Sequence, residues 1–270
     1  MPELPEVETI RRTLLPKVTG AVITEVEVRE RRLRRPVSPD FERALLHRRV
    51  HGIGRLGKYL LFDLGGDERL LVHLGMSGSL ELKPKGAPAE LHDHVRLGID
   101  GGRVLVFNDP RRFGLLRFAK LDSLAELTTI GPDPLTESWT AERLRSLLGN
   151  RQRPIKSALM DQMLIAGIGN IYANEICFRA GVRPSRRSRS LRRKELEALA
   201  AAIPSVLSEA VRLGGSSISD FRDGNGQRGS FQLRFRVYDR AGEPCSKCGT
   251  RIRRIVLSGR SSFYCRSCQT

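Results

Sequence analysis

A change in hydrophobic period near residue 131 constrains the fold of this chain most. Between about residues 21 and 118, short runs rich in β-branched and aromatic residues alternate with Gly, Asp and Pro turns, a pattern typical of a β-sandwich or barrel-like sheet. The Gly-Pro-Asp-Pro stretch at 131–134 then breaks any regular element. Beyond it, apolar residues recur at helical spacing over residues 140–148, 154–165, 170–180 and 193–213.

These patterns predict an α+β fold with two domains. Val7, Ile10 and Leu14 share one helical face and predict a helix over residues 1–15; a shorter helix is predicted at 42–47. Strands are predicted at 21–28, 59–64, 70–74, 95–99, 104–108 and 115–119, with more around 231–238. We place a helix plus β-sandwich domain at 1–131, a linker at 132–141, a helical domain at 142–232 and a terminal hairpin at 233–270.

Four of the five cysteines form two close pairs near the end of the chain. Two Cys-x-x-Cys pairs, sixteen residues apart, have the spacing of a tetrahedral zinc site. The expected ligands of one structural Zn²⁺ are Cys245, Cys248, Cys265 and Cys268. Four thiolates leave no open position for water, so the metal is structural; disulfides or unpaired thiols are the alternative. Strands at 251–256 and 261–264 would form the hairpin, and Cys177 is expected in the core.

The charge balance indicates a polyanionic partner. The chain carries 47 Lys plus Arg against 30 Asp plus Glu, a formal net charge of +17, which favours nucleic acid. The strong excess of Arg over Lys leaves codon composition open as another source. No apolar run approaches the roughly 18 residues of a membrane span, and the first twenty residues lack a secretory h-region. We therefore expect a cytoplasmic protein that does not contact membranes.

The amino terminus carries a second chemical feature. Removal of Met1 would expose the secondary amine of Pro2, and Glu3 follows it directly. An α-amine with a pKa near about 7.7–8.0 is partly unprotonated at neutral pH and can attack carbon, and a neighbouring carboxylate can move protons. Pro at position 2 is also compatible with an ordinary start.

Five separated motifs together resemble the formamidopyrimidine-DNA glycosylase family of bacterial base-excision repair, and the resemblance covers essentially the whole chain. The motifs are Pro-Glu-Leu-Pro-Glu-Val-Glu-Thr at 2–9, Gly-Lys-Tyr-Leu at 57–60, His-Leu-Gly-Met-Ser-Gly at 73–78, Asn-Asp-Pro-Arg-Arg-Phe-Gly at 108–114 and Gly-Ile-Gly-Asn-Ile-Tyr-Ala-Asn-Glu at 167–175. The tail from 259 to 268 is similar to the zinc finger of that family. The resemblance implies a catalytic β-sandwich domain and a helix-two-turn-helix domain.

The resemblance also implies a bifunctional glycosylase and lyase chemistry. The Pro2 nitrogen would attack C1′ of an oxidised purine nucleoside, such as 8-oxoguanine or a formamidopyrimidine. Glu3 would act as general acid and base, and β,δ-elimination would cut the strand. Lys58 would hold a phosphate beside the lesion, although a solvated turn Lys is the simpler alternative. Glu6 and Glu175 match positions of a proton network; for Glu6, the electrostatics of a helix start is a sufficient explanation.

The implied partner is damaged double-stranded DNA, bound by a monomer. Enzymes that act on a base extrude it and fill the gap. Met76 and Phe113 would enter the stack, unless they belong to a sheet core, and Arg111 would bind the orphaned base. The remaining DNA-binding residues implied by the resemblance are His73, Arg112, Lys156, Asn170 and Arg260. Asn170 could equally be a plain helix cap. Residues 216–231, rich in Gly and Ser, resemble a loop that covers the extruded purine.

Two other hypotheses stay open at this point. An endonuclease VIII-like relative would prefer oxidised pyrimidines, but that group usually departs from the Pro-Glu-Leu-Pro-Glu start and from the Met, Arg and Phe set. A non-catalytic zinc-ribbon protein that binds nucleic acid would use the basic finger and would give Pro2 and Glu3 no task.

Overall fold

The computed structural model describes residues 2–217 and 221–270. Contacts divide the chain into two compact units. The first comprises Met1–Thr128 and Leu213–Ser230, and the second comprises Thr129–Arg212 and Phe231–Thr270. The domain boundaries given above stay a prediction. Within the described residues, no helix is both long enough and apolar enough to cross a bilayer.

The first unit is a β-sandwich with one long helix against it. Its helices are α1 (Leu4–Val18) and α2 (Phe41–Leu45), and a short 3₁₀ turn follows the last strand. Its strands are β1 (Ile23–Val28), β2 (Gly52–Leu56), β3 (Tyr59–Asp63), β4 (Glu68–His73), β5 (Ser79–Pro84), β6 (Asp93–Ile99), β7 (Arg103–Asn108) and β8 (Leu115–Lys120). They form two antiparallel four-stranded sheets, ordered β1-β6-β7-β5 and β2-β3-β4-β8.

One hydrophobic core joins the two sheets to α1. Ile10 and Leu14 from the helix are fully buried in it, together with Val95 from one sheet and Leu60 from the other. The alternation of buried and partly exposed residues along β3 is what a strand with one face on a core requires. The six strands and two helices predicted for this region are confirmed. Strands β2 and β5 were not predicted, because glycines at 52 and 54 and a terminal proline obscure their patterns.

The second unit combines four helices with a terminal hairpin. Its helices are α3 (Ala141–Leu148), α4 (Ile155–Leu159), α5 (Asn170–Arg179) and α6 (Arg193–Arg212), and its strands are β9 (Arg253–Leu257) and β10 (Arg260–Tyr264). The hairpin is confirmed where the Cys spacing predicted it. Thr140 caps α3 by accepting a hydrogen bond from the amide of Arg143, so that helix begins one residue later than predicted.

Two predicted elements of this unit are wrong. The helix predicted over 154–165 ends at Leu159, because Asp161 and Gln162 bind backbone groups of the following loop: the Gln162 amide donates to the carbonyls of Met160 and Ile168. Such local side-chain bonds compete with a helix. The segment 231–238 forms a 3₁₀ turn, Phe231–Arg234, followed by further turns rather than strands.

Candidate functional site

Pro2 and Glu3 lie directly at the start of α1. Pro2 is buried, and Glu3, only 2% exposed, is the N-cap of the helix. The two carboxylates of a capping box hold this turn: Glu3 accepts from the amide of Glu6, and Glu6 Oε2 accepts from the amide of Glu3 at 2.8 Å. A capping box satisfies two otherwise unpaired N–H groups. The residue next to the α-amine therefore has a fixed backbone conformation.

Lys58 lies in a two-residue hairpin loop between β2 and β3. Leu56 pairs with Tyr59 across the loop, and Gly57 takes a positive φ of 56°. Short hairpins of this kind need a residue that tolerates a positive φ, which explains the glycine before the lysine. Lys58 is only 7% exposed, so it is not the solvated turn residue of the alternative interpretation.

The motifs at 73–78 and 108–114 come together because one chain segment crosses the other at Gly75. A Cβ on Gly75 would lie 2.4 Å from the carbonyl carbon of Phe113, so only glycine permits this approach. Met76 and Phe113 are 40% and 46% exposed. They form no part of the sheet core. The guanidinium of Arg111 lies 4.8 Å from the centre of the Phe113 ring, within the range of a cation–π contact.

Asp109, which the sequence reasoning did not single out, shapes the loop that carries Arg111 and Phe113. Its side chain is fully buried. Oδ2 accepts from the amide of Gly114 at 2.7 Å, and Oδ1 accepts from the Ser77 hydroxyl at 2.9 Å. The sequence signal that could have identified Asp109 was its second position in the Asn-Asp-Pro turn, since Asp side chains commonly bind backbone groups of their own turn. Arg112, the residue after Arg111, has a φ of 56°, and its guanidinium Nη1 lies 3.5 Å from Glu30 Oε2.

His73 ends β4 with a defined tautomer. The amide of Gly75 donates to Nδ1 at 3.0 Å, so the ring proton of the neutral form is on Nε2. Burial, together with the positive charges of Arg34 and Lys58, lowers the pKa of His73 to about 4. The residue is therefore a neutral hydrogen-bond donor at physiological pH.

The segment that resembles a lesion-covering loop, residues 216–231, is bound to α1 at two places among its described residues. Glu6 Oε1 accepts from the amide of Ser216 at 2.7 Å. Farther along the segment, the Thr13 hydroxyl accepts from the amide of Gly224, and Lys17 donates to Asn225 Oδ1 at 2.6 Å. Asn225 thus binds α1. Residues 218–220, part of the predicted loop, lie outside the described residues.

In the second unit, the Gly-Ile-Gly-Asn motif forms a tight turn into α5. Gly167 has a φ of 84°, its amide donates to Gln162 Oε1 at 2.8 Å, and Asn170 is the first residue of the helix. The N-cap position is Gly169, so the plain cap predicted as an alternative for Asn170 is wrong. The side-chain oxygen of Asn170 accepts no hydrogen bond from any residue that the structure describes.

Lys156 and Glu175 are placed to hold the terminal hairpin and the segment before it. The Lys156 ammonium, in a residue only 1% exposed, donates to Ser261 O and Ser262 Oγ, both at 2.7 Å. The Glu175 carboxylate accepts three backbone N–H bonds, from residues 236, 237 and 238. This capture explains why no strand forms at 231–238. Neither placement presents the charged group at a surface.

Arg260 lies at the start of β10, exposed, after a two-residue loop in which Ser258 and Gly259 have φ values of 48° and 71°. Helix α5 holds the hairpin, because the amide of Phe263 on β10 donates to Asn174 Oδ1 at 2.7 Å. The packing thus presents Arg260 at the hairpin tip.

The four predicted metal ligands converge. The sulfur atoms of Cys245, Cys248, Cys265 and Cys268 all lie within 4.8 Å of one another. The Cys245–Cys268 and Cys248–Cys265 sulfur pairs are 3.9 and 3.5 Å apart. Zn–S bonds of about 2.3 Å in a tetrahedron place sulfurs about 3.8 Å apart, so this donor set fits the ion. Cys177 is fully buried, as predicted, and burial raises the pKa of its thiol to about 12.

Three family models match successive parts of the chain. They are the formamidopyrimidine-DNA glycosylase N-terminal domain over residues 1–116, the H2TH domain of the same glycosylase over 130–222, and a zinc finger found in FPG and IleRS over 242–270. Together they span most of the sequence in the order that the motifs predicted.

Relatives and solved structures match the full chain. Formamidopyrimidine-DNA glycosylases of Thiobacillus denitrificans and Azorhizobium caulinodans are 47% and 45% identical, with 100% of both chains covered. The structure is similar to a Lactococcus lactis FPG mutant in complex with a Fapy-dG containing DNA, with a TM-score of 0.92, 34% identity and 100% coverage of both chains. It also matches MutM (FPG) from Thermus thermophilus, with a TM-score of 0.88, 42% identity and coverage of 99% and 98%. The chain belongs to the formamidopyrimidine-DNA glycosylase family.

Proposed function

We propose that this protein removes oxidised purines from double-stranded DNA and cuts the strand at the resulting site. The observation that carries the proposal is the position of Pro2: it directly precedes a buried capping box that fixes the backbone of Glu3. Relatives support the choice of substrate, since one similar structure holds a Fapy-dG containing DNA and another carbocyclic 8-oxo-G containing DNA.

The chemistry follows from an amine nucleophile. The lone pair of the Pro2 nitrogen, exposed when Met1 is removed, forms a bond to C1′ while the bond from C1′ to the base breaks and the base leaves with a proton. The nitrogen loses its proton, and the C1′–O4′ bond of the sugar then breaks as O4′ takes up a proton, which opens the ring and leaves an iminium. Its positive nitrogen accepts the electrons released when a C2′ proton departs. Elimination breaks the bond to the 3′ phosphate and then the bond to the 5′ phosphate. Glu3 supplies and removes the protons.

Further residues, in each of the two units, are proposed to bind and open the DNA. Lys58, His73, Asn170 and Arg260 are proposed to contact phosphates, which fix register without reading sequence. Arg112 is proposed as a weaker phosphate contact because it already lies near Glu30.

Met76 and Phe113 are proposed to fill the gap left by the extruded nucleotide, and Arg111 to bind the base opposite. Their exposure, together with the Asp109 and Gly75 contacts that shape their loops, supports this assignment.

We also infer that the four cysteines hold a structural Zn²⁺. When bound, the ion supplies a rigid fold for the hairpin and no catalytic water, since four thiolates fill a tetrahedral site. The role of the metal is then to present Arg260. The burial of Lys156 supports the same view, because its ammonium holds the strand that begins at Arg260.

The test is strand cleavage by correctly processed protein. Duplex containing 8-oxoguanine opposite cytosine should be converted to a one-nucleotide gap by the wild type and left intact by Pro2→Gly. Glu3→Gln should lose base removal while still binding the duplex. Preferential cleavage of duplex with an oxidised pyrimidine would favour the endonuclease VIII-like interpretation. Binding without cleavage of either duplex would leave only the zinc-ribbon interpretation.

A further inference from the structure

Arg55 and Glu8 form a buried link between α1 and the loop that carries Lys58. Arg55 Nε donates to Glu8 Oε2 at 2.9 Å, and another guanidinium nitrogen donates to the carbonyl of Gly57 at 3.1 Å. The two charged side chains are 4% and 6% exposed. Two charges so thoroughly removed from water cost free energy unless their partners are well placed, and nothing in the proposed chemistry above uses either of them.

The contact with Gly57 acts directly on Lys58. The carbonyl of Gly57 belongs to the same planar peptide group as the amide of Lys58. A hydrogen bond to that oxygen therefore fixes the orientation of the peptide group that leads into Lys58. The glycine has the left-handed φ of 56°, and rotation of this peptide would change the direction in which Lys58 leaves the loop. Arg55, on strand β2, supplies a bond that resists such rotation.

The other end of the link is fixed to the helix that begins beside Pro2. Glu8 lies on α1 and also binds Arg11 and Arg12 at 2.8 and 2.7 Å. Burial by itself raises the pKa of Glu8, but hydrogen bonds from Arg11, Arg12 and Arg55 lower this pKa to about 2. The carboxylate is therefore ionised throughout the physiological range. Arg11 in addition donates to the carbonyl of Ile53 on β2 at 3.3 Å, which joins the same helix and strand a second time.

We propose that Arg55, through Glu8 and the Gly57 carbonyl, is a positioning residue that fixes Lys58 relative to the Pro2 amine. The inference rests on the proposed function, in which Lys58 holds a phosphate beside the nucleotide that Pro2 attacks. Attack requires the reacting atoms about 3–3.5 Å apart, and a misplacement of about 1 Å can cost about 100-fold in rate. A guanidinium that reaches two acceptors in one plane is suited to this task; an ammonium is not.

A double-mutant cycle with Lys58 tests the proposal. The single-turnover rate of strand cleavage at saturating abasic-site duplex is measured for the wild type, Arg55→Lys, Lys58→Ala and the double variant. We expect Arg55→Lys to lower the rate by about 10- to 100-fold in the wild-type background. In the Lys58→Ala background it should change the rate less than about 2-fold, because the residue being positioned is gone.

Arg117→Lys is the matched control. Arg117 pairs with Glu126, a carboxylate only 7% exposed, in the same unit. Within the part of the chain that the structure describes, its guanidinium bonds only to Glu126 and to the carbonyl of Ser123, away from the Lys58 loop. The variant should change the rate less than about 2-fold in both backgrounds. A general loss of structure would instead lower the rate equally in both backgrounds and would overturn the proposal, as would an unchanged rate for Arg55→Lys.

Two further outcomes are distinguishable. If Arg55→Lys does not fold, as judged by circular dichroism at the assay temperature, Glu8→Gln replaces it in the same cycle and should show the same dependence on Lys58. If the wild type itself forms no borohydride-trapped adduct with the abasic duplex, the proposed function fails. An intact adduct with equal losses in both backgrounds refutes the positioning role alone.

Discussion

The neutral state of His73 leads to a quantitative prediction about DNA binding. With a pKa of about 4, about one molecule in a thousand carries a proton on both ring nitrogens at pH 7. To bind a phosphate as a cation, the imidazole would need a pKa about three units higher, a cost of about 4 kcal/mol at 1.36 kcal/mol per unit. We therefore expect Nε2–H to donate to the phosphate from the neutral ring.

A neutral donor and a cation respond differently to salt. Each phosphate neutralised by a cation contributes a slope of about −0.9 to the logarithm of affinity against the logarithm of salt. Between 50 and 200 mM salt, the contribution of Lys58 should thus fall about 3.5-fold. The contribution of His73 should stay constant. Its size should be about 10- to 100-fold in affinity, since a hydrogen bond to a charged group contributes about 1.5–3 kcal/mol.

The assay is fluorescence anisotropy with a duplex containing a tetrahydrofuran abasic-site analogue, over that salt range and from pH 6 to pH 8. His73→Ala should lower affinity by the same factor at every salt concentration and every pH. Lys58→Ala should lower it most at low salt, which makes it the internal comparison. A His73→Ala deficit that shrinks with salt as the Lys58→Ala deficit does, or that grows as the pH falls, would refute the reasoning.

Three further predictions concern stability and the metal. Glu8→Gln should lower the free energy of unfolding at pH 7 by about 2–3 kcal/mol; because the pKa of Glu8 is depressed to about 2, this stability is present above about pH 4.5 and is lost as the pH falls toward 2. In urea titrations, the difference in unfolding free energy between the wild type and Glu8→Gln should be smaller at pH 3 than at pH 7. An equal difference at the two pH values would count against a stabilising role for the ion pairs of Glu8. Lys156→Met should raise amide exchange at Ser261 and Ser262, because Ser261 O and the buried Ser262 Oγ lose the ammonium that donates to them, whereas the exposed control Lys194→Met should not. Chelation should release one Zn²⁺ per chain, measured with a metal-sensitive dye, and weaken DNA binding at least tenfold; release of no metal would exclude the zinc site.

Local patterns in the sequence predicted most of the elements and the metal ligands. The helix at the start, the strands whose β-branched residues alternate, and the Cys-x-x-Cys pairs all depend on short-range spacing. The motif residues Met76 and Phe113 could be named from the resemblance, but the close approach of the Gly75 backbone to that of Phe113 could not. That contact depends on how two strands of different sheets end, which no local pattern encodes.

The failures have a common physical cause. At 236–238, the backbone N–H groups that would have formed a strand are bound by Glu175, some sixty residues earlier in the chain. Beyond Leu159, the side chain of Gln162 donates to the carbonyl of Met160, which a longer helix would have used. Arg55 and Glu8 were overlooked for the same reason: a basic residue after a glycine and an acidic residue on a helix are unremarkable until the fold brings their side-chain atoms within 2.9 Å of each other.

The proposed mechanism depends above all on the α-amine of Pro2 as the nucleophile. The most direct measurement is to trap the wild-type protein on 8-oxoguanine duplex with borohydride, digest the adduct and locate the linked sugar by peptide mass spectrometry. We predict that the sugar is on the amino-terminal nitrogen of a chain that begins at Pro2, with Lys58 and Lys156 unmodified. A sugar linked to a lysine side chain, or an adduct formed equally well by a protein that retains Met1, would contradict the mechanism.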